Sequence, residues 1–312
     1  MTSSSDDDTR TGGDDSLRPR RDDSLRPRRD DSLRPRRDDS LRPRRSVLYM
    51  PAANERALEK AKAIPADALI FDLEDAVAPD AKETARAQAA AAVASDAYGN
   101  RELTIRCNGL DTPWGADDLA AAAEARPRAV VIPKVDSVAA LDAVSEALDR
   151  AGAPPDVAIW AMIETPTAIF DARALAAHPR VEVLVMGTND LAKELRLRPA
   201  ADGGNDRQAL VPHLATALLA AREAGKVILD GVYNDIKDID GFTAECVQGA
   251  QLGFDGKTLI HPGQVEIAND TWAPDADEVE DAERVIRAFT EAQAAGRGVV
   301  TVDGRMIENL HV

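Results

Sequence analysis

Cysteine, lysine and aromatic side chains are all scarce in this 312-residue chain, and each shortage excludes something. The two cysteines, Cys107 and Cys246, have no CxxC spacing. A disulfide framework and a cysteine-held zinc ion are therefore not expected, and both thiols read as packing residues. Lysine occurs only eight times, leaving 30 arginines among 38 basic residues, against 55 acids and a net charge of −17. Nucleic acid is a poor partner for such a chain, because phosphate neutralisation needs clustered positive charge. Strong acidity with little lysine suits solubility at high salt instead. No run of about 18 uncharged apolar residues is present, and residues 1–45 lack the apolar stretch of a secretory leader. A cytoplasmic protein without membrane contact is therefore expected. Nor does a glycine-rich phosphate loop follow the first apolar run, which argues against a dinucleotide cofactor.

What the chain does have is repetition, then alternation. The octad DDSLRPRR occurs four times in tandem from Asp14 to Arg45. With one apolar residue per octad it cannot bury a core, so residues 1–45 are expected to form a disordered tail. Beyond it, eight β-rich apolar runs alternate with alanine-rich stretches: Val47–Pro51, Ala68–Glu74, Leu103–Asn108, Ala129–Val135, Val157–Glu164, Val181–Gly187, Lys226–Val232 and Lys257–Pro262. Their continuous apolar character suits parallel strands buried on both faces, and the intervening segments are long enough for crossover helices. Eight such units predict an α/β chain closed into a TIM (β/α)8 barrel over residues 46–270, with a doubly wound open sheet as the alternative. A C-terminal helix and lid segment is expected over residues 271–312, where Gly304 marks a turn that aims Glu308.

The polar residues sharpen this reading, because nearly every run ends in a chemically competent one: Asp72 and Glu74, Arg106 and Asn108, Lys134, Glu164, Asn189 and Asp190, Asp230, and His261. In such a barrel the strand C-termini converge on one mouth. Glu164 and Asp190 have the composition of a hard-cation site, since Mg²⁺ takes one or two carboxylates and completes its shell with water and substrate oxygens. A pair of helix caps is the plainer alternative. Arg106 sits in an otherwise apolar strand and needs an anionic partner. That partner is either Asp72, Glu74 or Asp75, or a substrate oxygen gripped by the guanidinium fork. Three acids in the four residues Asp72–Asp75 repel one another, so at least one is expected to orient a cation or a water. Residue type alone leaves His261 a rim histidine and Lys60 a solvated lysine.

In order along the chain, RSVLYMPAANERALEKA, FDLEDAVAPDAK, IRCNGLDTP, VIPKV, IETPTAI, MGTNDLA, GFDGKTLIHPGQ and DGRMIE resemble the citrate lyase β-chain-like branch of the HpcH/HpaI aldolase superfamily. The resemblance spans about Arg45 to Glu308 and implies a TIM barrel, Mg²⁺ as cofactor, an acyl-CoA ester as substrate and assembly into homotrimers or homohexamers. It implies that Glu164 and Asp190 ligate the metal and that Arg106 binds substrate. Tyr49, Lys60, Asn189, Ile260 and His261 fall at substrate-binding positions. Glu308 stands where several lyases place an Asp that enters a neighbouring subunit's site. Asn54 stands where some malyl-CoA lyases carry Arg, with Arg56 close by. Retro-Claisen cleavage of a 3-hydroxyacyl-CoA is the activity expected, with Arg106 as the cation for the enolate and Glu308, Asp72, Glu74 or Asp75 handling the proton. The alternatives are a malyl-CoA thioesterase, a citrate lyase β subunit acting on an acyl-carrier-protein thioester, and a metal-binding scaffold without catalysis.

Overall fold

The computed structural model describes residues 42–198 and 207–309. The four octads lie outside them, apart from the last residues of the fourth. Eight parallel strands hydrogen-bond in chain order and close on themselves: β1 (Ser46–Pro51), β2 (Ala68–Asp72), β3 (Glu102–Arg106), β4 (Ala129–Ile132), β5 (Ala158–Ile163), β6 (Val181–Met186), β7 (Val227–Asp230) and β8 (Gly256–Leu259). Outside them run α1 (Glu55–Ala61), α2 (Lys82–Val93), α3 (Gly115–Ala125), α4 (Val138–Arg150), α5 (Pro166–Ala176), α6 (Thr188–Glu194), α7 (Arg207–Ala224), α8 (Ile239–Leu252) and α9 (Val265–Thr271). This is a TIM barrel.

Alternation along each strand builds two cores from one apolar run. Val47, Ile70, Val131, Trp160, Val183 and Leu229 fill the barrel interior. Their neighbours Leu48, Leu69, Val130, Ile159, Leu184 and Ile228 pack outward against the helices. At the N-terminal end of the strands charge closes the interior. Arg44 donates to Glu102 at 2.7 Å and to Glu182 at 2.6 Å, and its guanidinium lies 5.5 Å from the centre of the Trp160 ring.

Several strands end earlier than the apolar runs suggest. Leu73–Glu74, Cys107–Asn108, Gly231–Val232 and Ile260–Pro262 all lie beyond the last residue of their strands. These segments leave the sheet and form the loops of the mouth.

After α9 the chain builds a separate module. Helix α10 (Ala276–Ala294) starts at a capping box, with Asp275 accepting from Glu278 N at 2.7 Å and Glu278 accepting in return from Asp275 N at 3.0 Å. Strands β9 (Val300–Val302) and β10 (Arg305–Ile307) form a hairpin whose two turn residues, Asp303 and Gly304, have φ of 48° and 77°. Such left-handed pairs match the twist of a tight hairpin. Val285, Phe289, Val302 and Ile307 bury one another in a cluster distinct from both barrel cores. No helix among the described residues is long and apolar enough to cross a membrane.

Candidate active site

A cavity of about 370 Å³ opens at the C-terminal mouth, lined by Tyr49, Asp72, Asp75, Arg106, Glu164, Asn189, Asp190 and Ile260 with apolar residues between them. Strand parity puts these side chains there. Tyr49 is two residues past Val47, Asp72 two past Ile70 and Glu164 two past Met162, all inward positions. Asp72 and Arg106 are direct partners in the β2–β3 register.

The Arg106 guanidinium is held on every side. Its Nε and Nη2 donate to the two Asp72 oxygens at 2.7 and 2.6 Å, and Nη1 lies 2.8 Å from Glu74 and 3.8 Å from Asp75. The Tyr49 ring stacks 4.8 Å away. Burial opposes the charge, but the Asp72 bonds and charge outweigh it and hold Arg106 above its ordinary pKa. The salt-bridge reading of Arg106 holds for all three acids, and the side chain still lines the cavity. Asp72 also accepts from Glu74 N at 2.8 Å and Ala76 N at 3.2 Å. Bonded at both oxygens in this way, Asp72 holds the fork in place.

Across the cavity, Glu164 is buried at 2% exposure and accepts from Lys134 N at 2.7 Å. Lys134 makes that bond from a left-handed φ of 50°, a strained setting for a residue with a side chain. Burial, with the nearby Asp190 charge adding to it, pushes the Glu164 carboxyl up to about 7. Behind it, a Cβ on Gly187 would come within 2.2 Å of Glu164 Oε2, so only glycine fits. The buried Thr188 hydroxyl, two residues before Asp190, has no hydrogen-bond partner among the described residues. Lys134 Nζ reaches back to Glu74 at 3.2 Å. Glu74 thus bridges Arg106 and Lys134, while Glu164 and Asp190 line the cavity with no salt-bridge partner of their own among the described residues. Two carboxylates and an orphaned hydroxyl fit a hard divalent cation such as Mg²⁺. No group of three or more His, Cys, Asp and Glu placed to hold a metal occurs among the described residues. A cation here would therefore draw on water and substrate oxygens to complete its shell, which is the ordinary habit of Mg²⁺.

The other sequence candidates are scattered. Asn189 lines the cavity and exchanges hydrogen bonds with Asn234, and Ile260 lines it at 41% exposure. His261 is exposed and does not line the cavity; its Nδ1 accepts from Gly263 N at 3.1 Å and caps a short turn. Lys60 is exposed in the last turn of α1, away from the cavity lining. Glu308 follows β10 and is likewise absent from the lining. Asp230 has the opposite parity to Leu229 and faces outward, where Arg207 and Lys257 hold it at 2.8 and 2.9 Å. The sequence does not point to Gly187, Thr188, Met162 or Met186 as lining residues, nor to Lys82 beneath the Asp72–Asp75 loop.

Comparison with known proteins follows the same outline. The HpcH/HpaI aldolase/citrate lyase family profile matches residues 45–262. A (3S)-malyl-CoA thioesterase of Cereibacter sphaeroides is 53% identical over 269 residues, covering 86% of this chain and 90% of the relative. Citrate lyase subunit beta of Escherichia coli is 37% identical over 269 residues, covering 84% of this chain and 88% of the relative. The crystal structure of CitE from Mycobacterium tuberculosis in complex with magnesium, acetoacetate and coenzyme A superposes with a TM-score of 0.69 at 28% identity, over 85% of this chain and 92% of that one. On the barrel, its mouth and this extent of match, the chain belongs to the HpcH/HpaI aldolase/citrate lyase family.

Proposed function

We propose that the chain hydrolyses the thioester of a malyl-CoA-type 3-hydroxyacyl-CoA in the presence of Mg²⁺, releasing coenzyme A and the hydroxy acid. The observation that carries this reading is the 53% identity to a (3S)-malyl-CoA thioesterase, set on a cavity that unites a buried arginine with a dicarboxylate. That extent of identity moves the balance from carbon–carbon cleavage to hydrolysis.

Each residue then has a task. Glu164 and Asp190, with the Thr188 hydroxyl close by, would hold Mg²⁺, which would supply Lewis-acid charge for the hydroxy-acid end of the acyl group. The fixed Arg106 fork faces the thioester oxygen and stabilises the oxyanion formed when water adds to the carbonyl carbon. Asp75 keeps a side-chain exposure of 64% beside that fork and accepts the proton of the attacking water. The thiolate then leaves. Tyr49 and Ile260 bound the acyl chain, Asn189 contacts its polar end, and Lys60 and His261, outside the cavity lining, meet the distal part of the coenzyme A ester. Asp72 and Glu74 keep Arg106 aimed.

A second reading is retro-Claisen cleavage to an acyl-CoA and an α-keto acid, favoured by the relation to citrate lyase subunit beta. The same cation would stabilise an enolate, and Glu308 of a neighbouring copy in a homotrimer or homohexamer would handle its proton. The deciding experiment incubates the purified chain with malyl-CoA and citramalyl-CoA, with Mg²⁺ or with EDTA, and identifies products by mass spectrometry. Free coenzyme A with intact malate or citramalate supports hydrolysis. Acetyl-CoA with a keto acid makes the chain a lyase, and turnover unaffected by EDTA removes the metal from either scheme.

A further inference from the structure

We infer that Lys82 is a positioning residue for the Arg106 fork, acting as a clamp that fixes the ends of β2 and β3 relative to each other. Lys82 opens α2 and is 5% exposed, an unusual place for an ammonium. All three of its protons are used: Nζ donates to Leu73 O at 2.7 Å, to Glu74 O at 2.8 Å and to Asn108 Oδ1 at 2.8 Å. The Trp114 ring lies 5.0 Å beneath it. Two of those acceptors belong to the segment that follows Asp72 and carries Glu74 and Asp75, and the third lies two residues past Arg106, just beyond the end of the neighbouring strand.

The clamp continues away from the cavity. Asn108 Nδ2 donates to Leu73 O at 3.0 Å and to Asp118 at 2.5 Å, and Asp118 in turn accepts from Arg86 at 2.7 Å. One buried chain of charge-assisted bonds therefore ties α2 and α3 to the two strand ends. Lys82 does not line the cavity and reaches the acids that face it only through backbone carbonyls. Its charge also offsets one of the acids in a loop that would otherwise repel itself. Removing it leaves two carbonyls and an amide oxygen buried without that donor, and the cheapest relief is for the loop to swing away and take Asp72 with it.

The test has two readouts, and the second rests on the proposed thioester chemistry. In arginine-labelled protein, the Arg106 Nε–H is shielded from solvent exchange by Asp72, and its resonance is assigned by its loss in Arg106→Lys. Lys82→Met is expected to raise that exchange rate at least tenfold; an unchanged rate overturns the clamp, whatever the enzyme's substrate. For turnover of malyl-CoA, Lys82→Met is expected to lower kcat at least thirtyfold with KM within threefold, at a temperature well below the variant's own cooperative melting transition. The Lys82→Met/Arg106→Lys double variant is expected to fall within threefold of Arg106→Lys alone. Multiplying losses would make Lys82 an independent structural prop and overturn the inference. A wild-type chain inert to malyl-CoA would sink the substrate reading and leave the exchange result standing. If Lys82→Met does not fold, Asn108→Ser at the other end of the clamp is expected to raise Arg106 exchange in the same way, and failure to do so overturns it.

Discussion

Gly187 is the smallest residue at the mouth and one of the most constrained. A Cβ there would strike both the carboxylate and the Cβ of Glu164, at 2.2 and 2.3 Å, so Gly187→Ala is expected to displace Glu164 as a whole from its place beside Asp190. Isothermal titration should then find Mg²⁺ affinity at least tenfold weaker while the melting curve moves by only a few degrees; wild-type affinity would remove Glu164 from the metal site. The residues that the sequence does disclose share one property, a charge in an otherwise apolar strand. Arg106, Asp72 and Glu164 are conspicuous because burial forces them to have partners. Asp230 has the same property and misleads, since both faces of Val227–Asp230 are apolar and nothing in four residues fixes which way the last one points. Lys82 stays hidden for another reason. Its acceptors and its aromatic neighbour come from Leu73, Asn108 and Trp114, up to 32 residues away, and only the closed barrel brings them together.

Strands are the most legible elements and hairpins the least. Five or six consecutive apolar residues in a βα rhythm announce a parallel strand, whereas β9 and β10 have three residues each and carry almost no pattern. Only Asp303–Gly304 marks their turn. The small core they share with α10 depends on few side chains, with Phe289 at its centre and 2% exposed. Phe289→Ala should cost this module about 3 kcal/mol or more, enough to unfold it locally. Hydrogen exchange would register the change as loss of protection in α10, β9 and β10, with β1–β8 unaffected. Equal loss across the barrel strands would show that module and barrel unfold as one unit.

At the scale of the whole molecule, closure of eight strands is readable because each βα unit repeats the same signals, and the mouth follows from closure. Stability should carry an acid-side signature from that mouth. Burial raises Glu164 from its ordinary value of 4.5 to about 7 and also raises Glu74. Between those values the folded chain binds more protons than the unfolded one, so stability declines as pH rises across that window, by about 3 kcal/mol from Glu164 alone. Asp230, Asp238 and Asp281 are lowered from 3.8, and their opposite effect falls below that window. The metal-free melting temperature should therefore fall from pH 5 to pH 7.5, stabilisation by added Mg²⁺ should grow over the same range, and Glu164→Gln should flatten both trends. A melting temperature that climbs with pH, or an unaltered slope in the variant, contradicts the assignment.

The self-contained C-terminal module has a consequence for how such a chain can change over generations. Its four buried side chains, Val285, Phe289, Val302 and Ile307, pack on one another and not on either barrel core, so a change of size at one of them is answered by the other three without repacking the barrel. Likeness to relatives nevertheless runs through it, since an alignment of 269 residues cannot end at Pro262. The segment can thus drift in its packing like a small protein of its own while staying part of the family's common length.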